Sequence, residues 1–416
     1  MPWWAPPVPQ DERATATVAA ICLLSGLWSY GGGTGGLLTQ TLPYAAKVYG
    51  VGDAALGTGL AVVRIGAVLA LALGLLADRA GRRRFILVAA VAHCLITAAI
   101  GLAPSFAAYI GAHVLLRCLD IALGIALGVL AVESVPAGNR AVTLSLILLA
   151  NGVGLAAAVA VLPVAAAGRG GFAAVYLAQL LALPFVLHAG RRLPESRRYL
   201  THAAERHRYR ELLRAPYRRR LLMVGGAALL GAAFFVPATE FYNRYLDSVH
   251  GFSAFELVAF LAITGLPSFA MLLLGGRLAD VRGRKVVGIP LLGGATLAYA
   301  GFYLADQPWI WLLAFAGNML GSAGGAAIAP YRAELFPTRV RSAAGTAVIA
   351  SAVIGSMVGL AAAGQLAESL GIGAAVAVLA VLPVIAGVIV VLWFPETARR
   401  ELEDTSGDTV PARLPV

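Results

Sequence analysis

The sequence predicts an all-α polytopic membrane protein, with twelve transmembrane helices in two six-helix, pseudo-symmetric bundles. Three observations carry that expectation. The 416 residues are 59% hydrophobic and 13% charged, with a mean hydropathy of +0.81, whereas soluble domains carry about 25% charged residues. The apolar residues come in runs, and about 20 in a row cross the hydrocarbon layer as a helix. Three short motifs also occur twice, always 201 or 202 residues apart.

Twelve apolar runs can be read, at roughly 15–40, 53–77, 85–103, 107–132, 141–167, 171–190, 220–244, 253–276, 286–304, 308–332, 342–367 and 371–394. Lipid offers no partner to bare backbone N–H and C=O groups, so these runs should be helices. A transmembrane barrel would read as short alternating segments, and none appear. Glycine and alanine crowd the runs, which suits close helix packing.

The net charge of +11 is placed unevenly. Arginines gather in 79–84, 191–220, 277–285, 339–341 and 399–400, while the alternate connections near Lys47, Pro104, Arg169, Asp306 and Leu370 hold very few. That alternation is the positive-inside bias. It predicts cytoplasmic arginine-rich loops, both termini in the cytoplasm and residence in the cytoplasmic membrane. It also assigns the basic surface to anionic lipid rather than to nucleic acid. Cys22, Cys94 and Cys118 all fall inside runs, which is no disulfide framework. The leading "MPWWAPPVPQDER" lacks a basic stretch, so the first span is expected to stay in the mature chain.

"GLLADRAGRRR" (74–84) recurs as "GGRLADVRGRK" (275–285), "ESVPAGNR" (133–140) as "ELFPTRVR" (334–341), and "LPESRRYL" (193–200) as "FPETARRELE" (394–403). The chain therefore divides into an N-terminal bundle over 1–190, a cytoplasmic linker over 191–219, and a C-terminal bundle with a short cytoplasmic tail over 220–416. Six spans per half make the halves parallel, a plan in which a solute is held near the midplane.

These motifs resemble those of the major facilitator superfamily. Gly74-x-Leu76-Ala77-Asp78-Arg79-x-Gly81-Arg82 is similar to its signature between the second and third helices. The Glu-x6-Arg elements and the PES and PET endings resemble its sugar-porter-like and metabolite–proton symporter branches. The resemblance implies a secondary transporter working by alternating access. It further implies a cytoplasmic charge network that is closed in one state and broken in the other: Asp78, Arg82, Glu133 and Arg140 in the first half, and Asp280, Arg284, Glu334 and Arg341 in the second. Bare topology signalling needs neither the glutamates nor Gly81 and Gly283, which permit tight turns.

Ionisable residues inside spans are costly and are candidates for the solute or proton path. Arg64 falls in the second run, Arg117 and Asp120 in the fourth, and Glu240 in the seventh, with Arg244 one turn on. Arg117 and Asp120, three apart, share a helix face. Asp120 is either the titrating partner of Arg117 or half of a static pair. Glu240 meets a cationic solute, pairs with Arg244 or sits in water near the surface. The first span carries no acid, a departure from proton-coupled sugar porters. Tyr30, Asn151 and Asn318, with Gln40, Gln179 and Gln365, can hydrogen-bond a solute or bind helix to helix. His93 and His113 read as packing residues.

"GGGTGG" (31–36) is no phosphate loop, since no lysine follows; it reads as a bend or close approach in the first span. No nucleophile elbow, zinc-protease or Walker motif appears, so an enzyme is not expected, and neither is a cofactor or a metal. The expected partners are a small-molecule substrate, a proton as candidate coupling ion and the bilayer around a monomer. Arg64 and Arg117 favour a carboxylated solute. Two other readings stand beside it: a proton-driven exporter of a hydrophobic or cationic compound, and a non-transporting membrane sensor on the same scaffold.

Overall fold

The computed structural model describes residues 12–32, 36–70, 73, 82–135, 140–194, 217–329, 335–336 and 338–396. Helix dominates, and no strand occurs among the described residues. Twelve helical stretches are long and apolar enough to cross a membrane. The first six are Ala14–Gly31, Asp53–Ala70, Arg83–Gly101, Phe106–Ala131, Leu146–Ala165 and Arg169–Arg192. The others are Tyr217–Glu240, Ala254–Ala279, Arg284–Phe302, Trp309–Ile328, Ala344–Leu370 and Ile372–Trp393. Their outward faces carry Leu181, Phe255 and Leu297, each more than 70% exposed. In water that exposure would be a liability; in lipid it is the expected surface.

Contacts divide the chain into two units. The first comprises Met1–Gly52, Gly59–Ala204 and Leu246–Val258; the second comprises Asp53–Thr58, Glu205–Tyr245 and Ala259–Val416. The core of the first unit is built from Ile21, Leu24, Ile86, Leu123 and Leu127. Small residues let its helices approach: a methyl on Gly154 would overlap the carbonyl oxygen of Gly26, drawing the fifth span onto the first. The second unit repeats the device 201 residues on. A methyl on Gly355 would overlap the carbonyl of Leu229, drawing the eleventh span onto the seventh. Without a hydrophobic force between helices in lipid, such close backbone packing supplies the attraction.

The first helix of each unit's leading span gives way to a second, short helix. Glu12–Gly31 gives way to Leu42–Tyr49, and Tyr217–Glu240 to Tyr242–Ser248. Both short helices are followed by a left-handed glycine, Gly50 at φ 63° and Gly251 at φ 67°. A side chain at either position would strain the turn.

Candidate functional site

The fourth span is the helix Phe106–Ser134, started by Ser105, whose hydroxyl accepts the Ala108 N–H at 3.3 Å. Midway along it Asp120 is 4% exposed. Its Oδ1 accepts the Trp28 indole N–H at 2.8 Å and lies 2.9 Å from His93 Nε2, itself 1% exposed. Side chains from the first, third and fourth spans thus converge on one carboxylate oxygen. The glycines of "GGGTGG" make room for it. A methyl on Gly32 would overlap the Asp120 carboxylate, and one on Gly31 would stand 2.9 Å from Thr97 Oγ1. A carboxylate buried among apolar spans is tolerable only with such partners.

A small cavity of about 20 Å³ opens beside it, lined by residues that include Gly32, His113, Leu116, Arg117 and Asp120. That volume suits about one water-sized guest. His113 Nε2 is buried without a hydrogen-bond partner, and its ring stands 4.6 Å from that of Tyr109. Gly66 brings the second span close, since a methyl there would lie 2.9 Å from Arg117 Cβ. Half-buried Arg64 sits just before it, where the helix Asp53–Val63 loosens into a turn.

The spacing of Arg117 and Asp120 suggests a mutual pair. Asp120 is bonded to His93 and Trp28, and Arg117 lines the cavity beside it. Residues three apart on one helix share a face, and other helices also reach the acid. His93, read from the sequence as packing, is therefore part of the site. The signal was present: histidine is also ionisable within a span.

Several softer candidates serve helix contacts. Tyr30 donates to the Val175 carbonyl at 2.6 Å, and Gln179 Nε2 to Leu27 O at 3.0 Å. The backbone carbonyl of Asn151 accepts from Ser29 at 2.9 Å, while Asn151 Oδ1 is buried without a hydrogen-bond partner. In the second unit, Asn318 accepts from the Tyr299 hydroxyl at 2.7 Å and donates to Thr264 O at 3.2 Å.

Glu240 is 7% exposed at the end of the Tyr217–Glu240 helix, one turn past Pro237. Its candidate partner Arg244 donates to Asp53 Oδ1 at 2.9 Å, within the second unit. Within the first unit, Lys47 Nζ meets Asp247 Oδ1 at 2.6 Å. Burial first, and the Asp247 charge second, push the neighbouring Tyr44 phenol up to about 12.

Of the proposed cytoplasmic network, Asp78 and Glu334 lie outside the described residues, as do the side chains of Arg82, Glu133, Arg140, Asp280 and Arg341. Arg284 is described, and its surroundings add a part that the sequence did not reveal. Glu396, from the PET ending, accepts the backbone N–H groups of Arg284 at 2.8 Å and Lys285 at 3.0 Å. A carboxylate at a helix N-terminus meets both free donors and the positive end of the dipole. Lys285 returns the favour by donating to the carbonyls of Val391 at 2.7 Å and Phe394 at 2.9 Å, closing the twelfth span. In the first unit Arg83 donates in the same manner to Gly190 O at 3.3 Å.

No group of three or more metal-ligating side chains occurs among the described residues. What the arrangement offers is a buried acid–histidine couple beside a small polar cavity in a bundle of apolar spans. That defines a class, the polytopic helical membrane proteins with an ionisable group at mid-span. The chain belongs to the Major Facilitator Superfamily, whose family model matches residues 23–329.

No curated relative matches it by sequence. The fold is similar to that of the xylose transporter XylE from E. coli in its inward open conformation, at 16% identity and a TM-score of 0.76, covering 95% of this chain and 99% of that one. It is also similar to a D-xylose-proton symporter, at 17% identity and a TM-score of 0.75, covering 92% and 98%. The nucleoside transporter NupG, as a D323A mutant, is similar at 14% identity and a TM-score of 0.76, covering 91% and 100%.

Proposed function

We propose that the protein is a secondary transporter that moves a small organic solute by alternating access, with the Asp120–His93 couple carrying a coupling proton. One observation carries the reading: a buried carboxylate held by an ionisable ring, next to a cavity lined by Arg117. With Asp120 ionised, His93 donates its N–H to it. Taking up a proton changes the charge facing Arg117, and a solute anion approaching Arg117 would feel that change. A D-xylose-proton symporter among the similar folds supports the coupling, and the xylose and nucleoside transporters support a small polar cargo. Arg64 and Arg117 favour a carboxylate on that cargo. The arginine-rich loops and both termini face the cytoplasm in this reading.

The two ion pairs, Lys47–Asp247 and Arg244–Asp53, each join residues from the first and second sequence repeats. They are proposed to break and re-form during the cycle, as the motif charges Asp78, Arg82, Glu133, Arg140, Asp280, Arg284, Glu334 and Arg341 do at the cytoplasmic end.

The test is uptake into proteoliposomes from a panel of labelled carboxylates, sugars and nucleosides, with and without an imposed pH gradient. Uphill accumulation should appear only with the gradient. Asp120→Asn should abolish it while solute exchange down a gradient persists, because the amide mimics the protonated acid. Uphill transport surviving in Asp120→Asn ends the proton-carrier assignment. Export of a cation through buried Glu240 is the second reading; it requires that Glu240→Gln, and not Asp120→Asn, remove the pH dependence.

A further inference from the structure

The second unit holds a larger cavity that plays no part in the pathway above. It measures about 690 Å³, inside the about 300–1,000 Å³ span of small-molecule sites. The seventh, ninth and twelfth spans form most of it, and its lining is apolar throughout, including Val224, Phe235, Leu292, Val384 and Val388. It opens sideways: Val384, Val388 and Val391 are each about half exposed on the helix flank. Gly231, Gly293 and Gly387 line it, and a methyl on any of them would meet nothing within 4 Å. No side chain projects into the space from these three positions.

A second pocket of about 360 Å³ adjoins it, sharing Val224, Leu392 and Phe394. Here the lining changes character, to Arg219, Arg220, Trp393 and Pro395. Arg220 donates to the Leu335 carbonyl at 3.2 Å, which fixes its guanidinium, and Arg219 is exposed beside it. Arg218 precedes them on the same turn. Trp393, 48% exposed, stands where indoles gather at membrane–water interfaces.

An apolar crevice open to the bilayer, ending in a fixed cationic mouth at an interfacial tryptophan, matches one kind of ligand. We infer that this is a binding site for an anionic phospholipid, with an acyl chain in the crevice and the phosphate on Arg219 and Arg220. Charge complementarity selects the headgroup, and the depth of the crevice selects an attached chain over a free anion. The inference uses only the membrane location and is independent of the transport assignment.

Trp393 supplies the readout. The full chain is placed in vesicles of neutral lipid containing increasing fractions of brominated phosphatidylglycerol or brominated phosphatidylcholine. The emission unique to Trp393 is taken as the difference from Trp393→Phe. Phosphatidylglycerol should quench it at a several-fold lower fraction. Arg219→Gln should reduce that preference about fivefold, the worth of one arginine near an anionic surface. Gly387→Leu, which fills the crevice, should weaken quenching by both lipids. Soluble glycerol phosphate should not displace the lipid. Equal quenching by the two lipids, an unchanged preference in Arg219→Gln, or displacement by glycerol phosphate would each overturn the site.

Discussion

The two units treat their interiors differently. The 201-residue offset that carries Glu133 to Glu334 also carries Arg117 to Asn318 and Asp120 to Gly321. Where the first unit holds a carboxylate between histidine and tryptophan, the second holds a neutral chain from Tyr299 through Asn318 to Thr264. A hydrogen-bonded amide inside lipid is cheap, whereas a charge there requires every partner in place. The repeat therefore differs at this level: one unit buries a carboxylate and the other a chain of neutral hydrogen bonds.

That contrast can be broken at its centre. Asp120→Ala leaves the buried Trp28 and His93 donors without their carboxylate, and should cost about 3–5 kcal/mol, enough to lower yield sharply. Asn318→Ala should cost only about 1–2 kcal/mol, the loss of neutral hydrogen bonds. Thermal unfolding in detergent compares them directly, and equal losses would contradict the difference.

The glycines sharpen the same contrast at smaller cost. Gly32→Ala must push the Asp120 carboxylate aside, an overpacking cost of about 1–3 kcal/mol, and should disable transport. Gly321→Ala meets only the Ala295 Cβ at 3.7 Å and the Tyr299 ring at 3.8 Å, ordinary contacts, and should be silent or slightly stabilising. A paired uptake and melting measurement on these two variants decides whether the carboxylate needs its space.

Smaller still is the difference between the helix-end caps. Lys285→Met removes a cation from two carbonyls at 2.7 and 2.9 Å, whereas the Gly190 carbonyl that Arg83→Met releases is held at 3.3 Å. The first should cost about 1 kcal/mol more. Hydrogen exchange at the ends of the sixth and twelfth spans would read it, and faster exchange in the Arg83 variant would reverse the ranking. The smallest stability effect belongs to Lys47→Ala. Lys47 is 60% exposed, and such surface pairs contribute less than about 1 kcal/mol. An unchanged melting point with altered transport kinetics would mark the pair as a conformational contact, while a large drop in melting point would mark it as structural.

The twelve spans were legible because each is a long apolar run, a property that survives whatever packs against it. The repeat was legible because its motifs are short and in register. Two of the partners of Asp120 were not. Spacing along one helix identifies neighbours on that helix, but His93 and Trp28 reach the acid from two other spans, and only the packing around Gly31 and Gly32 decides that they do. The same limit hid Glu396, whose role depends on its lying against a helix start that comes 112 residues earlier in the chain. The contact of Arg244 with Asp53 of the other repeat was hidden for a related reason: spacing along the chain points only to Glu240.

Gly50 and Gly251 record the history behind these differences. Both stand after a short outer helix, both are left-handed within a few degrees of each other, and they lie 201 residues apart. A duplicated gene is free to rewrite a side chain whose neighbours can be rewritten with it, as at Arg117 and Asn318. It has no second spelling for a backbone angle that only the smallest residue adopts without strain. A designer seeking to give the second unit a proton site should edit the side chains and leave the turns as they were copied.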